Sequence, residues 1–450
     1  MNPPSPPLPH PSHILHDDTI CATATAPGGA IGIIRVSGPV AFSAVSSICH
    51  VCCGSAATRS PRTAILTSLA EPDPASQRQE TIDEALVTLF PAPHSYTGED
   101  SVEISCHGSP YILQRVLDML CRHGCRMARP GEFTQRAYLN GKMDLAQAEA
   151  VADLISAANQ ATHRLAMSQL RGGISTELSQ LREQLLKLTS LLELELDFSD
   201  HEDLEFADRT ELLQLAQTID AHTQRLIDSF QTGNALKQGI PVAIVGAPNV
   251  GKSTLLNQLL GEERAIVSDI QGTTRDAIED TIQLEGITFR FIDTAGIRHT
   301  SDKIEQMGIE RSLAAAQRAR IIIMMSEPAV PYPDIPLRDD QTIIRIENKT
   351  DSFQAKYGIG IGILKQRLIA AAPHISESDI IVTSARHHEV LCRSQQSLHR
   401  VIEGLHSGIS GDLLAEDLRD VLNILAEITG GQITPQETLN NIFRHFCIGK

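Results

Sequence analysis

Gly246-Ala-Pro-Asn-Val-Gly-Lys-Ser253 is the stretch on which the reading of this chain turns. It follows the apolar run Val242 to Val245 and opens a helical pattern that starts at Gly251. A buried strand, a glycine-bounded loop, Lys-Ser and a helix together form the context of a phosphate-binding loop. The glycines let backbone N–H groups approach phosphate, and the helix N-terminus adds positive potential. Lys252 is expected to reach the β- and γ-phosphates of a nucleotide, and Ser253 to ligate Mg²⁺.

Downstream segments fit the same chemistry. Asp293-Thr-Ala-Gly296 follows the strand-like run Thr288 to Ile292, where a carboxylate meets Mg²⁺ through water. Gly272-Thr-Thr-Arg-Asp276 lies between and supplies a switch threonine, Thr274, as a second Mg²⁺ ligand. Asn348-Lys-Thr-Asp351 follows Ile343 to Ile346. Its Asp carboxylate can accept hydrogen bonds from guanine N1–H and the 2-amino group, which adenine lacks, so GTP is expected rather than ATP. The expected nucleotide contacts begin with Asn249, Val250, Gly251, Lys252, Ser253 and Thr254. Ser268, Asp269, Ile270, Gln271, Gly272, Thr273 and Thr274 follow, then Asp293, Thr294, Ala295 and Gly296, then Asn348, Lys349 and Asp351. Ras-type proteins orient the attacking water with a Gln directly after Asp-x-x-Gly. Here that position is Ile297, which cannot do so. Glu305 is the candidate replacement; its alternative is a solvated helix charge.

The loop lies in an insert, residues 237–372, that alternates strands and helices. Strands that are apolar almost throughout, set between helices, imply a parallel sheet covered on both faces. Residues 17–129 mix β-like runs, such as Ile31 to Val36 and Ser101 to Ser105, with a helix near Tyr111 to His123. That pattern reads as a compact α+β domain. Residues 130–236 read as helix, with Leu178, Leu181, Leu185, Leu188 and Leu192 on one face. Residues 373–450 carry a matching stripe of Leu414, Leu418, Val421, Leu425 and Ile428. The expected fold is therefore multidomain: an N-terminal α+β domain, a discontinuous helical domain, and an inserted Ras-like α/β domain with a mostly parallel sheet. Residues 1–16 form a Pro-rich lead expected to be disordered.

Composition narrows the function classes. The formal net charge is −17, so the chain lacks the overall basic balance of a free-standing nucleic-acid binder. Contact with RNA would need a local patch or a basic partner. The first basic side chain is Arg35, too late for a secretory or mitochondrial targeting segment, and a cytoplasmic location is expected. The nine Cys lack regular spacing and fit a reducing compartment better than a zinc site.

Further blocks give the chain a family resemblance. They are Asp17-Thr-Ile, Gly32-Ile-Ile-Arg-Val-Ser-Gly38, Tyr96-Thr-Gly-Glu-Asp100, Cys106-His-Gly108 and Pro130-Gly-Glu-Phe-Thr134. Leu139-Asn-Gly-Lys-Met-Asp-Leu-Ala-Gln-Ala-Glu-Ala150 and the terminal Cys447-Ile-Gly-Lys450 complete them. From Asp17 to Lys450 the chain resembles the tRNA modification GTPase family known as MnmE or TrmE. The resemblance implies a homodimer whose N-terminal domain binds a 5-formyl-tetrahydrofolate-type one-carbon donor through Arg35, Glu103, Lys142 and Lys450. Read without it, Lys142 could cap a turn and Arg35 could be a surface charge.

It also implies an FAD-dependent MnmG partner forming a heterotetramer, and a carboxymethylaminomethyl-type group placed on C5 of the wobble uridine of certain tRNAs. K⁺-stimulated pairing of the nucleotide domains would use Asn249, Ser268, Ile270 and Thr273 as K⁺ ligands and Glu305 to orient water. Cys447 matches the tail cysteine, for which a buried structural thiol is the alternative.

Two departures from the family pattern stand out. Ala26-Pro-Gly-Gly-Ala-Ile-Gly32 is one residue shorter than the usual Gly-rich turn and lacks its Arg. After Asp351, only Ser352 and Phe353 precede Gln354-Ala-Lys356, where related GTPases place a strand and a Ser-Ala-Lys loop. Thr383-Ser-Ala-Arg386 could imitate that loop, but its continuation, His387-His-Glu-Val-Leu391, resembles the family's return into the helical domain. Rival readings are a ribosome-assembly GTP-binding switch with little turnover, and a folate-dependent transferase with a vestigial nucleotide domain.

Overall fold

A computed structural model describes residues 18–26, 28–49, 63–72, 79–197, 209–263, 280–292, 314–373, 376, 379–431, 439, 442–444, 446, 447 and 449. The chain divides into two compact units. One comprises Met1–Ile155, Gln169–Ser175 and Leu422–Lys450, the other Ser156–Ser168 and Thr176–Val421.

The first unit is built on a six-stranded sheet with order β3-β4-β5-β2-β1-β6. Its strands are β1 (Thr19–Thr23), β2 (Ile31–Ser37), β3 (Ala64–Pro72), β4 (Gln79–Phe90), β5 (Ser101–His107) and β6 (Cys125–Met127). Only the β1–β6 pair is parallel. Strand alternation sorts the side chains. Ile34 and Val36 of β2, with Val102, Ile104 and Cys106 of β5, enter the core. Helices α1 (Ala41–Ile48) and α2 (Pro110–Arg122) cover that face, α2 through Leu113, Val116, Leu117 and Leu120 at helical spacing. Arg35 and Glu103 alternate to the other side and lie opposite each other in register.

Helix α3 (Glu132–Leu139) carries Arg136 into the interior, where it is 0% exposed. Its guanidinium donates to the Asp18 carbonyl at 2.9 Å, the Asp18 carboxylate at 2.8 Å, Glu99 at 3.2 Å and Glu132 at 3.3 Å. Arg126 adds a second cation on Asp18 and Glu132. Helix α4 (Leu145–Ser156) packs Leu145 and Ala148 against Leu439, Phe443 and Phe446 of the chain's end.

Helical and nucleotide-domain segments share the second unit. The helices are α5 (Gln160–Leu170), α6 (Gly173–Asp197), α7 (Arg209–Gln238), α8 (Lys252–Glu263), α9 (Ile361–Ala371), α10 (Ala385–Ser407) and α11 (Gly411–Thr429); α5, α6 and α11 each cross the division between the units. The Leu181, Leu185, Leu188 and Leu192 stripe of α6 is fully buried, and Arg419 of α11 donates to Glu193 of α6 at 2.9 Å. Gln395 of α10 donates to Asp220 and Gln224 of α7.

The sheet of this unit has order β11-β10-β7-β9-β8. Its strands are β7 (Ile240–Gly246), β8 (Asp280–Leu284), β9 (Ile287–Phe291), β10 (Ile321–Ser326) and β11 (Thr342–Glu347). All neighbours run parallel except β8, which pairs antiparallel with β9. The expected parallel sheet is present, and β8 is a strand that periodicity alone did not signal. Glu285 (φ 45°) and Gly286 (φ 75°) join β8 to β9 in the double positive-φ geometry that matches strand twist. The Gly286 carbonyl accepts the Ala161 N–H at 3.1 Å, and Asn159 donates to Thr288 at 2.8 Å.

Among the described residues no helix is long and apolar enough to cross a membrane.

Replacing Arg136 by Ala should destabilise the first unit by about 3–5 kcal/mol, because buried carboxylates lose their counter-charge; urea unfolding of the full chain measures this. Burial would raise the Glu132 carboxyl, but hydrogen bonds from Arg126 and the Arg129 N–H, with both guanidinium charges, hold it below its usual value. A lowered folded-state value stabilises above the ordinary carboxylate range and is lost as pH falls through it. The urea midpoint should therefore fall on acidification below that range, and Glu132→Gln should flatten the fall.

Candidate functional site

The phosphate loop connects β7 to α8. Ile244 is buried in the sheet, and α8 turns Leu255, Leu256 and Leu259 into the same core, so loop and helix N-terminus have a fixed base. Asn249 and Gly251 both take positive φ, 60° and 99°. At Gly251 a Cβ would collide with the Asn348 Nδ2, and at Gly246 one would come 2.5 Å from the Met325 carbonyl. Only glycine fits these two close approaches.

Lys252, the first residue of α8, folds its ammonium back over the loop. It donates to the carbonyls of Gly246 and Ala247, each at 2.8 Å. Burial holds the Lys252 ammonium below its ordinary pKa, which is the usual penalty for a cation removed from water. An anionic ligand would offset that penalty. Ser253 and Thr254 follow on the first turn of α8.

Asn348 joins this loop to the end of β11. It is 4% exposed, its Nδ2 donates to the Val250 carbonyl at 2.8 Å, and its Oδ1 accepts the Ala355 N–H at 3.0 Å. The Asn-Lys-Thr-Asp segment and Gln354-Ala-Lys356 therefore converge on the phosphate loop. Thr383-Ser-Ala-Arg386 does not join them: Ser384 precedes α10, and the chain enters that helix at Ala385. Lys349 has φ 63° and pairs with Glu327 at 2.5 Å, while Asp351 is exposed.

The remaining expected contacts lie outside the described residues. These are Ser268, Asp269, Ile270, Gln271, Gly272, Thr273 and Thr274, then Asp293, Thr294, Ala295 and Gly296, then Glu305 and Lys450. In the chain, residues 264–279 directly precede β8, and 293–313 directly follow Ile292.

The first unit holds a second constellation. Arg35 Nε and Nη2 donate to Glu103 Oε1 at 3.0 and 2.8 Å, and Nη1 donates to the Gly449 carbonyl at 3.3 Å. The guanidinium carbon stands 5.3 Å from the Tyr96 ring centroid and 5.8 Å from that of Phe133. Gly449 fits against Thr23 so closely that a Cβ would strike the Thr23 carbonyl. Lys142 lies over the loop that carries Tyr96, with its Nζ on the Pro93 carbonyl at 3.0 Å. Cys447 is exposed, and its carbonyl accepts the Gly131 N–H at 3.4 Å. Sequence reasoning missed Tyr96, Phe133 and Gly449. All three sit in the motif blocks above, but nothing in a motif says that an aromatic face or a tail carbonyl will meet a guanidinium.

A phosphate loop between strand and helix, a mostly parallel sheet and a guanine-type Asn-Lys-x-Asp locked to that loop define a P-loop GTPase-like domain. Residues 19–142 match the family described as GTP-binding protein TrmE N-terminus, and residues 145–447, a span that includes the P-loop domain, match the MnmE helical domain. The chain belongs to the tRNA modification GTPase MnmE family. It is 50% identical to a tRNA modification GTPase MnmE of Phocaeicola vulgatus, over 97% of this chain and 100% of that protein. Bacteroides fragilis has a relative of the same description, also 50% identical over 97% and 100%, and Porphyromonas gingivalis one 49% identical over 97% and 99%. Among solved structures, Aquifex aeolicus Era is 24% identical at a TM-score of 0.22, covering 35% of this chain and 65% of that one.

Substituting Gly251 by Ala should weaken GDP binding by at least about tenfold, since forced positive φ alone costs roughly 1–3 kcal/mol. Titration with a fluorescent GDP, alongside far-UV circular dichroism showing retained secondary structure, checks it.

Proposed function

We propose that this chain hydrolyses GTP and uses that turnover, with an MnmG-type FAD partner, to modify C5 of the wobble uridine of certain tRNAs. The observation that carries the reading is the Asn348 bridge, which joins a phosphate loop to a guanine-selecting segment. Lys252 and the α8 N-terminus would neutralise the β- and γ-phosphates, and the Asp351 carboxylate would accept the guanine N–H groups. Glu305 would orient the attacking water, in place of the Gln that Ile297 replaces.

Mg²⁺ fits the donor set: Ser253 stands at the start of α8, and Ser253 with Thr274 would hold the ion, which offsets phosphate charge. K⁺ fits Asn249, whose left-handed backbone is built into the loop. Asn249, Ser268, Ile270 and Thr273 would hold it, adding positive charge where it develops between the phosphates.

Residues 17–129 form the one-carbon-donor domain in this reading, 237–372 the nucleotide domain, and 130–236 with 373–450 the helical domain. Arg35, with Lys142 and Lys450, would meet the carboxylates of a formyl-tetrahydrofolate, and Glu103 its N–H edge. The support is the Arg35 guanidinium, which touches Glu103, an aromatic face and the tail at once. Cys447, exposed on the same tail, is assigned to the chemistry on the tRNA. The net charge of −17 supports a partner that carries much of the tRNA-binding surface.

GTP turnover measured in KCl and NaCl at equal ionic strength should be several-fold faster in K⁺; equal rates would remove the potassium component. Mass spectrometry of tRNA nucleosides from a deletion strain should show loss of the wobble modification, restored by the wild-type gene and not by Lys252→Ala. Restoration by that variant would favour a transferase whose nucleotide domain is dispensable. Separately, Arg35→Ala should lower retention of labelled 5-formyl-tetrahydrofolate by about tenfold or more, the loss of a charge-assisted contact, without altering GDP binding.

A further inference from the structure

Between Asn348 and α9, where the family pattern has a strand and a Ser-Ala-Lys loop, the chain makes two short paired turns. In the first, Phe353 N–H donates to the Thr350 carbonyl at 3.2 Å and to its Oγ1 at 3.1 Å. Thr350 N–H returns a bond to the Phe353 carbonyl at 3.1 Å. Asp351 and Ser352 are thereby the apex of a two-residue hairpin turn. In the second, Gln354 and Ile359 exchange N–H to carbonyl bonds at 3.1 and 3.2 Å. They enclose the 3₁₀ turn Ala355–Tyr357, whose Ala355 N–H reaches Asn348.

Phe353 stands between the two turns. It is 9% exposed and lies in one core with Ile346, Ala355, Ile361 and Leu364. Gly360, at φ 83°, sits so close to its ring that a Cβ would come 2.5 Å from Cδ2 and 2.8 Å from the Ser352 carbonyl. The ring is therefore held from the core side and from the surface side. Asp351 itself is exposed and has no side-chain anchor among the described contacts. Its carboxylate is placed by the backbone turn that Phe353 closes.

We propose that Phe353 is a positioning residue for guanine selection, its buried ring standing in for the absent strand. It acts through Asp351, not on the nucleotide. The inference rests on the GTP reading above. A carboxylate that must accept two N–H groups at once is sensitive to placement, and losing a charge-assisted hydrogen bond weakens binding roughly 10- to 100-fold. A misplaced Asp351 loses the 2-amino contact first, so the diagnostic quantity is the preference for GDP over IDP, which differ only in that group.

The test is competition of GDP, IDP and ADP against a fluorescent nucleotide on the full chain. Phe353→Ala should weaken GDP roughly 10- to 100-fold, shrink the GDP-over-IDP ratio toward one, and leave ADP, held through the phosphates, within about twofold. Phe353→Leu, which keeps most of the apolar volume, should restore most of the ratio. Gly360→Ala displaces the ring without emptying the core and should lower the ratio several-fold, which keeps the test valid if the Ala variant misfolds. A wild-type GDP-over-IDP ratio in both Phe353→Ala and Gly360→Ala, whatever their melting temperatures, overturns the proposal. A wild-type chain that does not prefer GDP over ADP overturns the nucleotide reading itself, so the two failures are distinct.

Discussion

The carboxamide of Asn348 is buried with both ends occupied, one on the phosphate loop at Val250 and the other on the base-side turn at Ala355. A buried amide whose partners were removed would cost about 1–3 kcal/mol for each unsatisfied group, so the two loops are held together as well as near each other. Gly251 allows the amide to approach, because any side chain there would occupy its place. The strand order completes the arrangement. β7 delivers the phosphate loop and β11 delivers Asn348, with β10 between them in parallel register, so both emerge at the same end of the sheet. The ends of parallel strands are where such folds gather ligand-binding loops.

The first unit solves a different problem, that of bringing remote segments to one place. Arg35 and Gly449 are separated by 414 positions in the chain, yet they share a hydrogen bond. Phe443 and Phe446 pack with Leu145 and Ala148, which fixes the approach of the tail. Arg136 fixes the floor: a buried cation facing carboxylates from three separate segments specifies one arrangement of those segments. The constellation around Arg35 is thus complete only when the C-terminal segment has docked.

Much of this was legible in the sequence, for reasons that differ by element. β7 and β10 are apolar almost throughout because both faces are covered, and that pattern survives in one sequence. The Leu178 to Leu192 stripe is legible because helical spacing repeats. β8 was not, since five residues at a sheet margin alternate too briefly to stand out from a loop. The phosphate loop and Asn-Lys-Thr-Asp were legible because their chemistry fixes residue type and order. That Gln354-Ala-Lys356 stands beside Asn348 depends on a single backbone N–H, that of Ala355, and no side-chain pattern records where a backbone N–H points. The aromatic faces around Arg35 escaped for the same reason.

Losing a strand next to β11 has a cost beyond nucleotide recognition. β11 becomes the rim of its sheet, and a rim presents backbone groups that can recruit a strand from another molecule. Arg367 of α9 donates to the Arg345 carbonyl at 3.0 Å, occupying one of those groups. Arg345 and Glu347 are exposed on the strand itself, and Arg345 lies over the Tyr332 ring. Charged side chains and a guanidinium plug are the means by which proteins make an open rim a poor template for aggregation. Charge and a guanidinium thus guard this margin.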